Sequence, residues 1–163
     1  MQPVWIDREG KQSGALGPPG EYRNLALSPD GNRVVIDRYD MRTRGRDLWL
    51  YELSRGTASR ITFDPADDSD TDWSPDGQHI AFGSNRGGSA GLYQKVATGA
   101  GEEEMVTKVT TATLYPRDWS SDGRFIIFST IAPVTQSDLW VVPLFGDRKL
   151  TPYLQTEFGE GEG

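Results

Sequence analysis

The chain of 163 residues contains no cysteine, which excludes disulfides, thiolate nucleophiles and Cys-ligated zinc. It has a single histidine, His79, so no multi-histidine metal centre can form; no metal and no cofactor are expected. Basic runs are also lacking: 17 Lys and Arg stand against 24 Asp and Glu, for a formal charge of -7, and no cluster of cations is long enough to neutralise a row of phosphates. Nucleic acid is therefore not an expected partner. No apolar run approaches the ~18 residues that span a bilayer, and the opening MQPVWIDREG lacks a basic segment followed by an apolar one. Neither membrane insertion nor an export signal is expected in this chain.

What the chain has in excess is glycine, 19 of 163 residues, well above the roughly 7% of average usage. Many tight turns between short elements follow, and an all-β fold with them. The turns repeat. LSPDG at 27–31, WSPDG at 73–77 and WSSDG at 119–123 each begin 46 residues after the one before, a period in the range of stacked structural repeats. In Ser-Pro-Asp-Gly, Pro presets the first turn position, Asp tolerates the second and Gly supplies a positive φ, so each motif closes a hairpin between two apolar runs. Ser121 replaces Pro in the third copy, and that turn is still expected to form.

A third run follows each hairpin, DLWLYEL, GLYQKVA and DLWVVPL, and a fourth follows the next turn, SRITF, EMVTKV and RKLTPYL. Four strands per unit of this length is the plan of a β-propeller blade. VWIDREGK and SGALGP fit the third and fourth strands of a partial copy. A single propeller domain is thus expected, with a half blade at 1–20, blades at 21–66, 67–112 and 113–156, and 157–163 as the start of a missing blade or a frayed tail. Three and a half blades leave open edges. The chain is therefore expected to be either a piece of a longer product or half of a homodimer whose two copies, joined head to tail, close a seven-bladed ring.

The pieces SPDGNRVVID with DLWLYEL and SRIT, SPDGQHIAF with GLYQKVA, and SSDGRFIIF with DLWVVPL and KLT resemble the TolB-type β-propeller repeat, a relative of the WD-type repeats, over essentially the whole chain. The resemblance implies a bacterial propeller of the kind found in periplasmic TolB-like proteins, in C-terminal regions of serine/threonine kinases and over prolyl-oligopeptidase-type peptidases. DLWVVPLFGDRK and PYLQTEFGEG look most like the kinase-linked or stand-alone versions. It also implies a periplasmic location if the chain is part of an exported protein. The family commonly closes at six blades, which three and a half copies do not divide.

Candidate chemistry is thin. Gly87-Gly88-Ser89-Ala90-Gly91 spells the G-x-S-x-G pattern of hydrolases, which matters only on a strand-to-helix turn with a later histidine; here it lies between two strands and His79 precedes it. His79 shares its repeat position with Arg33 and Phe125, which marks a packing position of changing identity. The repeated Trp49 and Trp140, and Trp73 and Trp119, are expected to pack between blades. Asp30, Asp76 and Asp122 are turn residues, while Asp47 and Asp138 open a strand where a carboxylate can accept a backbone N–H.

Sites are grafted onto the parts that do not repeat. DMRTRGRD, with Arg42, Arg44 and Arg46, and DPADDSDTD, with Asp64, Asp67, Asp68, Asp70 and Asp72, are expected as loops on one rim of neighbouring blades, the acidic one solvated, with a salt bridge to the arginine loop open to it. Arg42, Arg44, Arg46, Asp67, Asp68 and Asp70 are the candidate binding residues. The acidic spacing lacks the bidentate Glu of a calcium-binding EF-hand loop. GEEEM reads as a solvated turn. The sequence thus points to a non-catalytic binding or scaffolding module for a protein or small ligand, or to the accessory propeller of a kinase or peptidase. A lyase or hydrolase site in the channel is disfavoured by one histidine and no paired acid and base.

Overall fold

A computed structural model describes residues 1–110, 113–132 and 136–154; the tail 157–163 lies outside them. Three four-stranded antiparallel sheets follow a two-stranded one. The half blade is β1 (Val4–Ile6) and β2 (Gln12–Ala15). Blade I is β3 (Tyr22–Leu27), β4 (Arg33–Asp40), β5 (Gly45–Glu52) and β6 (Thr57–Arg60); blade II is β7 (Asp68–Trp73), β8 (His79–Ser84), β9 (Gly91–Val96) and β10 (Glu104–Lys108); blade III is β11 (Thr113–Trp119), β12 (Phe125–Ala132), β13 (Gln136–Pro143) and β14 (Thr151–Leu154). One short 3-10 turn, Arg86–Gly88, is the only helical piece among the described residues. The all-β propeller architecture of about three and a half blades is the one read from the repeats.

The hairpin turns owe their closure to the serine that opens each motif. In all three, the glycine N–H donates to the serine carbonyl at 2.8 Å, the glycine takes φ near +70°, and the serine hydroxyl accepts the N–H of Arg33, His79 or Phe125. The Asp carboxylates accept from the same serine hydroxyls. These bonds, with the Asn32 N–H, hold Asp30 down to about 2. The third turn forms without proline because the serine and aspartate bonds are retained.

Alternation sends successive residues of one strand into different cores. Val35 of β4 packs with Leu48, Trp73, Ile80 and Phe82 between blades I and II, whereas Val34 and Ile36 pack with Tyr22 and Tyr51 on the opposite face, toward the half blade. Ala81, Leu114, Trp119, Ile126 and Phe128 fill the space between blades II and III. Blades I and II are thus buried on both faces, which explains why their middle strands read as near-continuous apolar runs. Trp73 and Trp119 are inter-blade residues, as their repetition suggests; Trp49 is half-buried against the half-blade core.

Three placements differ from the sequence-based expectation. The fourth strand of blade I is Thr57–Arg60, because Ile61 and Thr62 turn inward: Ile61 is buried and the Thr62 hydroxyl accepts the Leu48 N–H at 2.9 Å. Half of the acidic segment is strand, not loop, since β7 starts at Asp68 and pairs with β8. Glu103 of GEEEM is not solvated; it receives Lys95 Nζ at 2.8 Å and Arg86 Nη1 at 3.4 Å.

Candidate functional site

The first strands of successive blades, β3, β7 and β11, lie against one another, as the innermost strands of a propeller do. Each carries a register irregularity: between Tyr22 and Leu25, between Ser69 and Thr71, and between Pro116 and Asp118. Asn24 and Asp70, 46 residues apart, lie within it, while their counterpart by spacing, Pro116, is paired with Phe128 and Arg117 is the residue passed over. Asp70 sits at φ 55°, a left-handed conformation that Asp tolerates better than most residues. Pro116 cannot adopt it, its ring fixing φ near −65°.

Asp37 braces this irregularity. Its Oδ1 accepts the N–H groups of Arg23 and Asn24 at 3.0 and 2.7 Å, and its Oδ2 accepts the Asp70 N–H at 3.3 Å. The carboxylate of blade I therefore ties its own inner strand to that of blade II. Burial pushes the Asp37 carboxyl up, opposed by these three N–H donors. Asn24 Nδ2 donates to Asp70 Oδ1 at 2.7 Å, and Ser69 Oγ donates to Oδ2 at 2.9 Å. Beside this cluster opens a cavity of about 210 Å³ whose wall includes Arg23, Asp67, Ser69, Asp70, Asn85 and Thr113.

Of the six residues singled out from sequence, Asp70 belongs to this cluster, and the other five separate into three groups. Arg42 and Arg44 are exposed on the β4–β5 turn, with Arg42 reaching only its neighbour Asp40 at 3.6 Å. Arg46 and Asp67 do meet, through the Arg46 backbone N–H on Asp67 Oδ1 at 2.8 Å, while the Arg46 guanidinium pairs with Glu21 at 2.8 Å and lies over the Tyr39 ring. Asp68 is fully buried and held by Arg86 Nη2 at 2.9 Å to each oxygen, and the Arg86 guanidinium also covers Tyr93 at 4.5 Å. Asp68 is thus part of the interior of blade II and cannot meet a ligand. Among the described residues no ion pair joins the arginine turn to the acidic segment, so the salt-bridged rim does not form. Arg42 and Arg46 pair instead with Asp40 and Glu21.

Arg23, Asn24, Asp37 and Asn85 were not singled out from sequence. Asp37 had a signal, a carboxylate inside the apolar run VVID; Asn24 had one in sharing the position of Asp70. Ser89, the centre of the G-x-S-x-G string, lies in extended conformation between the 3-10 turn and β9 of one sheet, not on a strand-to-helix turn.

A second cavity, about 470 Å³, opens at the opposite end of the blades, between blades II and III, against His79, Gln94, Asp122 and Trp119. On the inner strands Asp72 and Asp118 precede Trp73 and Trp119 at equivalent positions. Burial raises the Asp72 carboxyl to about 6, the Trp73 N–H acting against this and the charge of Asp118 adding to it.

Comparison with known proteins bears on the fold and the family. The family model described as TolB beta propeller domain matches residues 14–139. The chain is 30% identical over 104 residues to the uncharacterized peptidase YuxL of Bacillus subtilis, covering 61% of this chain and 16% of that protein. It is 30% identical over 128 residues to tricorn protease homolog 1 of Streptomyces coelicolor, covering 77% and 11%. It superposes on the crystal structure of TolB from Acinetobacter baumannii with a TM-score of 0.77 at 21% identity, covering 94% of this chain and 37% of that one. The chain thus spans less than a fifth of the curated relatives it matches.

Proposed function

Because the chain belongs to the TolB beta propeller domain family, we propose that it serves as a recognition module, presenting its inner-strand rim to a protein or peptide without chemistry of its own. One observation carries this reading: the polar groups that differ between blades, Arg23, Asp67, Asp70 and Asn85, converge on one cavity mouth, while the repeated carboxylates are taken up by turns. Backbone strain held at Asp70 by Asp37 fits a rim organised for contact. The mouth offers carboxylate and amide acceptors beside one guanidinium, a set suited to peptide termini and main-chain amides.

A second reading is favoured by the peptidase names of two relatives: the propeller would be the accessory part of a peptidase, guiding peptide to a catalytic domain elsewhere. Closure of the ring by a second copy is the alternative to a place in a longer product, supported by exposed apolar residues on the half blade, Trp5 and Ile6, and on the last strand of blade III, Tyr153 and Leu154. Light scattering should then give a mass of two chains; a mass of one chain at micromolar concentration contradicts that closure.

The test of recognition is a defined tripeptide library screened by thermal shift against the wild type and the Arg23→Glu and Asp67→Lys variants. Stabilising peptides should lose their effect in both variants, and peptide p-nitroanilides should not be hydrolysed. Equal shifts in the variants, or no shift with any peptide, would contradict the rim as the recognition surface.

A further inference from the structure

The cavity between blades II and III has a filled counterpart. Between blades I and II, Arg33 leaves the first position of β4, lays its guanidinium 4.8 Å from the centre of the Trp73 ring and donates from Nη2 to the Gly77 carbonyl at 2.9 Å. The side chain of blade I thereby plugs the groove beside the turn of blade II. One repeat later the same register position is His79, paired with Val96 as Arg33 is with Glu52. An imidazole is several atoms shorter than an arginine side chain and cannot span that distance. A side-chain atom at Gly77 would meet Arg33 Nη2 at 3.2 Å, whereas one at the equivalent Gly123 would meet nothing within 4 Å. The groove is open at about 470 Å³, and its lining includes the equivalents of the Arg33 partners, Trp119 and Gly123.

We propose that this cavity is a binding site for a guanidinium group, an arginine side chain presented by a peptide or protein partner, which takes against Trp119 and the turn of blade III the place that Arg33 takes against Trp73 and the turn of blade II. The surrounding charge suits a cation. Asp76 and Asp122 line the cavity, and Gln94 on its wall is bonded to Glu104. Against them stand His79, Arg124, which lies over Phe145 at the rim, and Arg148, which is already paired with Glu104 at 2.6 Å. A planar cation gains more here than an ammonium, because it stacks on an indole face while donating in its own plane to carbonyl and carboxylate oxygens. The Trp119 Nε1 is buried with no hydrogen-bond partner, in contrast to Trp73 Nε1, which donates to the Ala26 carbonyl at 3.0 Å. This site lies at the turn end of the blades, away from the Arg23 rim, so it stands or falls separately from that recognition surface.

The experiment is a titration of the intact chain with N-acetyl-L-argininamide, and in parallel with N-acetyl-L-lysinamide, followed by the indole N–H resonances. The Trp119 resonance should move saturably with the arginine probe and at least fivefold more weakly with the lysine probe. His79→Arg, which supplies the missing plug from within, should weaken binding at least tenfold. Arg33→Ala, which opens the other groove, should make the Trp73 resonance respond to the arginine probe as well. An unmoved Trp119 resonance, equal response to both probes, or undiminished binding by the folded His79→Arg protein would overturn the proposal. If that variant does not fold, the comparison of probes and the Arg33→Ala arm decide it.

Discussion

Between blades I and II the contact is made by side chains that cross the gap: Asp37 to the Asp70 N–H, Asn24 to Asp70, Arg33 to Gly77 and Trp73 to Ala26. Between blades II and III the same positions hold Gly83, Pro116, His79 and a Trp119 whose indole N–H is unpaired. Gly83 is required there, since a Cβ would lie 2.6 Å from the Leu114 carbonyl oxygen; closer backbone approach stands where the first junction has a carboxylate. The apolar cores of the two junctions are alike. The polar layer around them is what one repeat can change without losing the fold, and changing it turns a plugged groove into a cavity.

The largest effect that would break this contrast is expected at Asp37. Asp37→Ala leaves three backbone N–H groups, that of buried Asp70 among them, without their acceptor and should destabilise the protein by about 3 kcal/mol, whereas Ser129→Ala, at the equivalent position of blade III, should cost only about 1 kcal/mol. Urea denaturation of both variants makes the comparison. Next comes Arg33→Ala, which removes a stacked, hydrogen-bonded guanidinium at a cost of about 1–2 kcal/mol; His79→Ala should cost less than about 0.5 kcal/mol, in the range of half-exposed substitutions. Equal losses at the two positions would show that the grooves are not distinct.

The blades were legible because a hairpin turn is written in local chemistry: Ser, Asp and Gly act on neighbours within five residues, and their spacing survives even without proline at Ser121. The strand faces followed from alternation. What could not be read was which charged residues stay in solvent. Asp67 and Asp68 are adjacent and look alike, yet one lies at a cavity mouth and the other is buried under Arg86, an arginine 18 residues away across β8. The pairing depends on the start of β7, which a shift of one residue would reverse. Arg33 and His79 were recognised as one position of changing identity, but the empty space created by the exchange depends on the neighbouring blade and has no sequence signature.

A smaller effect sharpens the contrast through pH. Asp72 belongs to the second junction and its equivalent in blade I is Ala26. A carboxyl raised to about 6 in the folded state binds its proton more tightly there than in the unfolded chain, so its contribution is favourable at low pH and is lost as pH rises from about 4 to 6. Asp72→Asn should remove that loss and, allowing for solvent screening, be more stable than the wild type by about 1 kcal/mol at pH 7. Stability curves for both proteins between pH 4 and 7 would show it; parallel curves would contradict it. Smallest of all, Ser121→Pro should restore the turn chemistry of the other two repeats and raise stability by about 0.5 kcal/mol, read as a shift in thermal midpoint.

The most direct test of the idea that one side chain decides the difference between the junctions is the exchange variant carrying both Arg33→His and His79→Arg, titrated with N-acetyl-L-argininamide while the Trp73 and Trp119 indole resonances are followed. The response should move from Trp119 to Trp73, because the plug and the cavity change places. A response that stays at Trp119, or appears at neither tryptophan in the folded variant, would contradict the account.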